Sequence, residues 1–178
     1  MRFQVSPADI KQAKIPHEIF LTNLIGNHIL MAVAAGGVAG TFPWVMAFIP
    51  LTSFTLLSYT LWRARRSLTH DRWYPMCHWQ VCARRSRIFI VMLALLLVVA
   101  ALGWFGHHQL GFRREAIWAL VIGLGILPVM VTVLILILFE SETLYHANQA
   151  KLPAWVVEKY PHPPEIAVIE EVKPHYYD

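Results

Sequence analysis

The sequence predicts an all-α integral membrane protein, a bundle of four transmembrane helices with its N and C termini in the cytoplasm. Two observations lead to this prediction. Of the 178 residues, 57% are hydrophobic and only 15% are charged, and the mean hydropathy is +0.49. A water-soluble domain of this length has too little interior to bury so much apolar surface. The charged residues are also confined to separate segments, as expected where ionised side chains are excluded from a bilayer.

Three long stretches of the chain contain no Asp, Glu, Lys or Arg. They run from Ile19 to Trp62, from Ile88 to Phe112 and from Ala116 to Phe139. One helix crosses the hydrocarbon core with roughly 20 residues, so the first stretch is long enough for two crossings and each of the others for one. We therefore expect spans at about 19–40, 44–62, 88–105 and 116–139. A re-entrant first hairpin is the alternative, because its turn contains Gly and Pro amid apolar sequence.

The polar segments predict the orientation. The segment 63–87 carries seven arginines and a single acid, Asp71, so the positive-inside rule makes it a cytoplasmic loop. Two crossings on each side of it bring both termini to the cytoplasm. We expect residues 1–18 to form an N-terminal arm at the membrane surface, with a helix cap at Ser6 and Asp9. Residues 140–178 are expected to form an acidic, Pro-rich and largely extended tail, although Glu140 to Lys151 can prolong the fourth helix.

The expected spans contain residues that indicate how they pack. Ala32, Gly36 and Gly40 recur every four residues and predict a flat face where another helix approaches closely. Pro50 predicts a kink in the second span, and Gly123, Gly125 and Pro128 together predict a bend in the fourth.

The first span also contains a polar cluster. Asn23, Asn27 and His28 gather on one side of the helix, where polar groups need partners from neighbouring helices. Interhelical hydrogen bonding is the simplest interpretation. Pore lining is the alternative, although proton-coupled carriers more often place an acidic residue within a span.

The basic segment interleaves arginines with aromatic residues, a mixture that favours the headgroup layer of a bilayer. We expect it to anchor the protein and to contact anionic lipid headgroups or a partner protein. Nucleic-acid binding is not expected, because the membrane already accounts for the basic charge. The residues expected to make these contacts are Arg63, Arg65, Arg66, Arg72, Arg84, Arg85, Arg87, Trp73 and Trp79.

No metal site, cofactor or catalytic group is expected. His70, Cys77, His78 and Cys82 include ligand types that zinc prefers, but their spacing matches no common zinc motif. We expect both cysteines to be reduced thiols. Haem ligation by two histidines needs imidazoles at similar depth, and the histidines in or near the spans lie at different depths. The chain also lacks a nucleophile and base pair or a phosphate loop.

These features favour a noncatalytic structural or accessory subunit of a multi-subunit complex in the bacterial inner membrane, such as a secretion, conjugation or respiratory assembly. One alternative is a small homo-oligomeric channel or transporter lined by the polar cluster. Another is an immunity or exclusion protein that binds a membrane-active partner. The acidic tail is expected to fold back on the basic segment or to dock on another subunit. Its run Ile166–Ile169 could add to an exposed sheet edge of a partner.

Overall fold

The computed structural model describes residues 1–170, which are helical apart from a short β-ribbon and the connecting turns. Four helices are long and apolar enough to cross a bilayer, so the chain is a multi-pass membrane protein and the predicted four-helix bundle is confirmed. They are α1 (Pro7–Val38), α2 (Pro43–His70), α3 (Trp73–Leu110) and α4 (Arg114–Asn148). The remaining elements are β1 (Arg2–Phe3), a short helix α5 (Ala154–Lys159) and β2 (Val168–Glu170).

Both ends of the described chain lie at the same end of the bundle, here called the polar end. Strand β1 pairs with β2 in an antiparallel ribbon. The turn between α2 and α3 lies at this end too, because Trp73 Nε1 donates a hydrogen bond to the carbonyl of Tyr160 at 2.8 Å. The opposite end, here called the distal end, carries the α1–α2 and α3–α4 turns. The side of the membrane that the polar end faces stays a prediction.

Helix α1 begins earlier than expected, at Pro7, so the predicted surface arm 1–18 is mostly part of the first long helix. The predicted cap is confirmed: Ser6 Oγ accepts a hydrogen bond from the Asp9 amide at 3.1 Å and satisfies one of the free N–H groups of the first turn. The helix continues through Pro16 and includes wide π-helical turns at Thr22–Met31.

The expectation of a loop at 63–87 is wrong. Residues up to His70 end α2, and α3 begins at Trp73, so only Asp71 and Arg72 lie outside a helix. The segment thus consists of two helix ends joined by a two-residue turn, and one face of its α3 part is buried. Tyr74, Cys77 and Val81 on that face pack against Phe3 from the N-terminal strand. Helix α3 therefore extends beyond the apolar run in which a membrane span was expected.

The expectation of a largely extended tail is also wrong for residues 150–170. This part folds back over the polar ends of α1 and α3, which is the first of the two arrangements expected for the tail. Strand β2 pairs with β1 of the same chain. Residues 171–178 lie outside the described part. The small core at the polar end, which we call the polar cap, is built from the following buried residues: Phe3, Ala13, Tyr74, Cys77, Val81, Ala147, Leu152, Val156 and Val157.

Within the bundle, α1 and α3 pack against each other at the centre, while α2 and α4 flank them on opposite sides. The apolar core of the bundle includes Phe20 and Leu24 of α1, Phe89 of α3 and Val133 of α4, all fully or almost fully buried.

Aromatic rings mark the expected membrane boundaries. Trp44 and Trp62 of α2 are exposed and lie roughly 27 Å apart at 1.5 Å per residue. This separation is close to the thickness of a hydrocarbon core and favours a full crossing.

The kink expected in α2 and the bend expected in α4 correspond to changes of helix type. Pro50 is the third residue of the α-helical part of α2 and follows a tighter 3₁₀ segment, Pro43–Ala47. It therefore lies where the helix changes type, in the first α-helical turn, and not in an otherwise regular span. In α4, the region of Gly123 and Gly125 is π-helical over Val121–Ile126. Such wide turns are a known cause of local bends.

The two hairpins differ at the distal end. In the second hairpin, α3 and α4 pack so closely that a Cβ at Gly103 would lie 3.0 Å from Ile117 Cγ2. Residues 107–124 of the second hairpin include no buried residue, and neither do residues 36–52 of the first, where no glycine meets another helix. We call residues 36–52 the first-hairpin tip. Its backbone contacts are mainly within the α1–α2 hairpin, and not with α3 or α4. The second hairpin is thus closed by glycine-mediated packing, and the tip of the first is open.

We predict that Gly103→Leu lowers the free energy of unfolding by about 1–3 kcal/mol, the usual effect of overpacking. The neighbouring methyl groups belong to Ile117 and Val121, whose branched side chains have little freedom to move aside. Unfolding of the detergent-solubilised protein, followed by circular dichroism, measures the change. The matched control is Gly123→Leu in the same hairpin, where a Cβ has no neighbour within 4 Å. Equal stability of the two variants would contradict the close packing of α3 on α4.

Candidate functional site

A buried carboxylate lies where α1, α3 and α4 meet. Glu140 follows the apolar run of α4 directly and is 0% exposed. Its Oε2 accepts a hydrogen bond from Nδ1 of His17 on α1 at 2.5 Å, and its Oε1 accepts one from Nη1 of Arg85 on α3 at 3.0 Å. Arg85 also donates to the carbonyl oxygen of Phe139. Both carboxylate oxygens of Glu140 are therefore paired, each with a different helix.

A second histidine extends this network into the polar cap. Nε2 of His17 lies 2.9 Å from Nδ1 of His78 on α3, and both rings are 0% exposed. The edge of the His78 ring packs against Tyr74, with the ring centroids 4.8 Å apart. Within the described residues, Nε2 of His78 has no hydrogen-bond partner. We call His78, His17, Glu140 and Arg85 the His–Glu network.

The hydrogen bonds restrict where the protons of the network can be. An ionised carboxylate only accepts, so Nδ1 of His17 carries a proton. One proton must also lie between the two imidazoles. If His78 supplies it, His17 is neutral and His78 leaves a bare acceptor at its Nε2. If His17 supplies it, Nε2–H of His78 becomes a buried donor instead. In both arrangements Nε2 of His78 is buried without a hydrogen-bond partner among the described residues.

The structure brings the predicted polar cluster together. The side-chain amide of Asn27 donates to Asn23 Oδ1 at 3.2 Å and to the Ile49 carbonyl of α2 at 2.9 Å. The hydroxyl of Ser53, a residue that the sequence analysis did not single out, lies 3.2 Å from Asn23 Nδ2 and 2.9 Å from His28 Nε2. Asn23 and Asn27 are buried and His28 is half-buried. These contacts match the expected interhelical hydrogen bonding and join α1 to α2.

The small-residue face predicted on α1 meets no partner helix within residues 1–170. A Cβ at Gly36 or Gly40 would meet no atom within 4 Å, and both residues are exposed, whereas Ala32 is half-buried. Close packing through this face thus does not occur within the described chain. The glycines that meet another helix are Gly103, Gly106 and Gly125, which lie in the second hairpin.

The basic and aromatic residues separate into two groups. Trp79 is only 3% exposed, with the Arg63 guanidinium 5.1 Å from its ring centroid, so it is not available to lipid or to a partner. Arg63 also pairs with Asp71 at 2.8 Å. Trp73 is half-buried against the folded tail. The arginines that keep an exposed surface are Arg65, Arg66, Arg72, Arg84 and Arg87. Arg85 is largely enclosed by the His–Glu network.

The residues considered for zinc do not converge. Cys77 and Cys82 are free, buried thiols, and Cys82 donates to the Pro16 carbonyl. His78 is bonded to His17, and His70 is exposed at the end of α2. Among residues 1–170, no group of three or more His, Cys, Asp or Glu side chains is arranged to hold a metal ion.

The sequence analysis missed the His–Glu network because the charge-free runs begin at Ile19 and end at Phe139. His17 and Glu140 lie just outside these runs and were assigned to the polar segments. A signal was nevertheless present. Continuing the helical phase of the buried residues Val133 and Leu136 places Glu140 on the same face of α4. Likewise, His17 shares a face of α1 with Ala13 and Phe20. A polar residue in phase with an apolar face predicts burial with a partner.

Comparison of the chain with protein-family models, with curated proteins and with solved structures found no match. Helical membrane bundles serve many unrelated functions, so the fold alone does not assign one. The function must therefore be inferred from the contacts and charges of individual residues.

We predict that the His–Glu network stabilises the bundle. Glu140→Ala is expected to lower the free energy of unfolding by about 3–5 kcal/mol, because it leaves Arg85 as a buried charge without its partner. Glu140→Gln keeps the shape and one acceptor, so its effect should be smaller. Denaturant titration of the protein in detergent micelles measures both changes.

The control for this prediction is Glu142→Ala, two residues further along the same helix, where the side chain is exposed and forms no ion pair among the described residues. It should change the stability by less than about 0.5 kcal/mol. If Glu140→Ala proved as mild as this control, a stabilising role for the network would have to be given up.

Proposed function

We propose that the protein is a noncatalytic structural subunit of a multi-subunit complex in the bacterial inner membrane, and that it binds membrane helices of other subunits through its first-hairpin tip. The observation that carries this proposal is the difference between the hairpins. Neither residues 36–52 of the first hairpin nor residues 107–124 of the second include a buried residue, but the glycines differ: Gly103, Gly106 and Gly125 of the second hairpin meet side chains of the facing helix, whereas a Cβ at Gly36, Gly37 or Gly40 would meet no atom within 4 Å.

The tip has the features of a helix-packing surface. Helices in a bilayer associate through close van der Waals contact, for which small residues are the usual means. Gly36 and Gly37 of α1, and Gly40 in the turn that follows it, leave the backbone open, with no atom within 4 Å of a Cβ built at any of them. Across the turn, Phe42 and Trp44 are exposed large rings that can insert between side chains of a partner helix. The proposed occupant is therefore a helix of another membrane protein.

The enclosure of the reactive side chains supports a noncatalytic role. Catalysis needs acid, base or nucleophilic groups that a substrate can reach. His17, His78, Glu140 and Cys82 are each 0% exposed and lie between helices. They are suited to joining helices rather than to contacting a substrate.

The contacts of the polar cluster favour this proposal over a channel lined by the same residues. The side-chain amides of Asn23 and Asn27 bond to one another, to Ser53 and to a backbone carbonyl of α2. Amide donors that are bonded within an interhelical contact do not face a pore, although Asn27 Oδ1 is buried without a hydrogen-bond partner among the described residues. A homo-oligomer is accordingly the competing outcome in the experiment on partners below.

The distribution of positive charge supports a cytoplasmic polar end. The arginines of 63–87, with Arg2, Lys11 and Lys14, all lie toward this end, whereas Arg113 and Arg114 lie toward the distal end. Basic residues that flank membrane spans are retained on the cytoplasmic side.

For the orientation, we expect a green fluorescent protein fused after Asp178 to fluoresce and an alkaline phosphatase fused at the same position to be inactive. Fluorescent protein folds poorly when it is exported unfolded, and alkaline phosphatase needs the oxidising periplasm for its disulfides. The control is the same pair of fusions after Leu110, where the opposite pattern is expected. A reversed result at both positions would place the polar cap outside the cytoplasm.

For the partners, we expect mild detergent extraction followed by native mass spectrometry to detect the chain in a complex with different proteins. Gly36→Leu combined with Gly40→Leu should remove those partners, because the added side chains keep the helices apart, while the stability of the isolated chain stays unchanged. Gly123→Leu, which alters an exposed glycine outside the tip, is the matched control. Recovery of a pure homo-oligomer would favour a channel or transporter, and recovery of a lone monomer would favour an immunity or exclusion role.

A further inference from the structure

A large open pocket lies between α3, α4 and the start of the folded tail. Its volume is about 1080 Å³, and its lining extends from the polar cap down into the apolar runs of both helices. This is at the upper end of the roughly 300–1,000 Å³ range of small-molecule sites. Because the pocket crosses the boundary between the polar cap and the apolar spans, a ligand that fills it must have both a polar and an apolar part.

The upper rim of the pocket is positively charged. Arg2, Arg84 and Lys151 line it, and within residues 1–170 none of the three forms an ion pair. Arg2 and Lys151 face each other in a β-bridge, which holds two cations side by side. The Arg84 guanidinium lies over the Trp155 ring, 4.5 Å from its centroid, and is thereby held on the rim. The rim thus has three basic side chains that form no ion pair among residues 1–170, and Glu170 is the backbone partner of Arg2 on the other side of the ribbon.

Three further ionisable side chains line the pocket, and they change its net charge less. Arg85 is already neutralised by Glu140 at 3.0 Å. Glu142 is the carboxylate among the lining residues, and His146 lies nearby on the same helix. Among the lining side chains of residues 1–170, one carboxylate against three cations without an ion pair leaves a surplus of positive charge, which is complementary to an anionic phosphate ester.

The lower wall of the pocket is apolar. Ile88 of α3 faces Ile135 and Leu136 of α4. Thr132, the deepest of the lining residues of α4, donates its hydroxyl proton to the Pro128 carbonyl and so offers no free donor to a ligand. Thr132 and Ile135 lie roughly 8–12 Å below Glu140 at a rise of 1.5 Å per residue. A chain of several methylene groups fits along this wall.

We propose that this pocket binds one anionic phospholipid, with its phosphate at Arg2, Arg84 and Lys151 and one acyl chain along the wall formed by Ile88 and Ile135. The rim supplies the charge that a phosphate needs at headgroup level, and the wall supplies the apolar surface that an acyl chain needs directly below it. A free phosphate uses only the rim, and a zwitterionic lipid gains less from the surplus charge. The site does not depend on the proposed role of the first-hairpin tip.

The experiment uses the full-length protein, freed of lipid in detergent and titrated with defined lipids under native mass spectrometry. Dioleoyl phosphatidylglycerol should be retained as a single copy at least fivefold more tightly than dioleoyl phosphatidylcholine. Arg84→Gln combined with Lys151→Gln should remove most of this preference, since each basic residue near a lipid surface is worth about fivefold in affinity. Thr132→Phe should weaken the binding of long-chain phosphatidylglycerol by blocking the lower wall.

The matched control is Arg65→Gln combined with Arg66→Gln, which removes the same charge from exposed positions on α2 outside the pocket. Circular dichroism confirms that each variant is folded before titration. Retention of phosphatidylglycerol and phosphatidylcholine to the same degree would overturn the proposal, as would an equal loss of preference in the control. Displacement of the lipid by millimolar inorganic phosphate alone would show an anion site rather than a lipid site and would also overturn it.

Discussion

The fold depends on the pairing of one carboxylate that the chain removes from solvent. Glu140 is fully buried, and an ionised group in such a place is tolerated only when it is hydrogen-bonded and paired. His17 and Arg85 satisfy its two oxygens from α1 and α3. Because these groups must point at one another, they set the relative rotation of three helices where the apolar spans end. Apolar packing within lipid is far less directional and would tolerate several rotations.

Above this network the chain forms a second core, of a different kind from the one below. The polar cap buries Phe3, Tyr74 and Val156, residues far apart in sequence, as a small soluble domain does. The spans instead expose most of their apolar surface, with Leu97 and Leu138 about 70% exposed. The same helices α3 and α4 thus meet water at one end and hydrocarbon at the other. The proposed lipid pocket lies at that change of solvent, where cations and apolar side chains are adjacent.

The two hairpins show how similar sequence signals lead to different packing. Glycines occur in both, and a sequence pattern places a flat face on α1 at Gly36 and Gly40. The contacts that form within the chain are instead made at Gly103 and Gly125. The polar cluster, unlike this glycine face, does form its expected contacts within the chain. Asn23, Asn27 and His28 do find partners, but through Ser53, which the sequence alone did not indicate. A small-residue face or a polar cluster shows that a helix can make a close contact. The rotation of that helix in the bundle decides whether the contact forms.

The sequence alone determined that this is a four-helix membrane protein and where its apolar spans lie, because the length and charge of a run are local properties to which a bilayer responds directly. The tertiary structure decided what the polar segments do. It made the basic segment helical, folded residues 150–170 onto β1, and joined His17 to Glu140 across 123 positions of sequence. These outcomes depend on which helix faces meet, and that depends on packing and hydrogen bonds between distant residues.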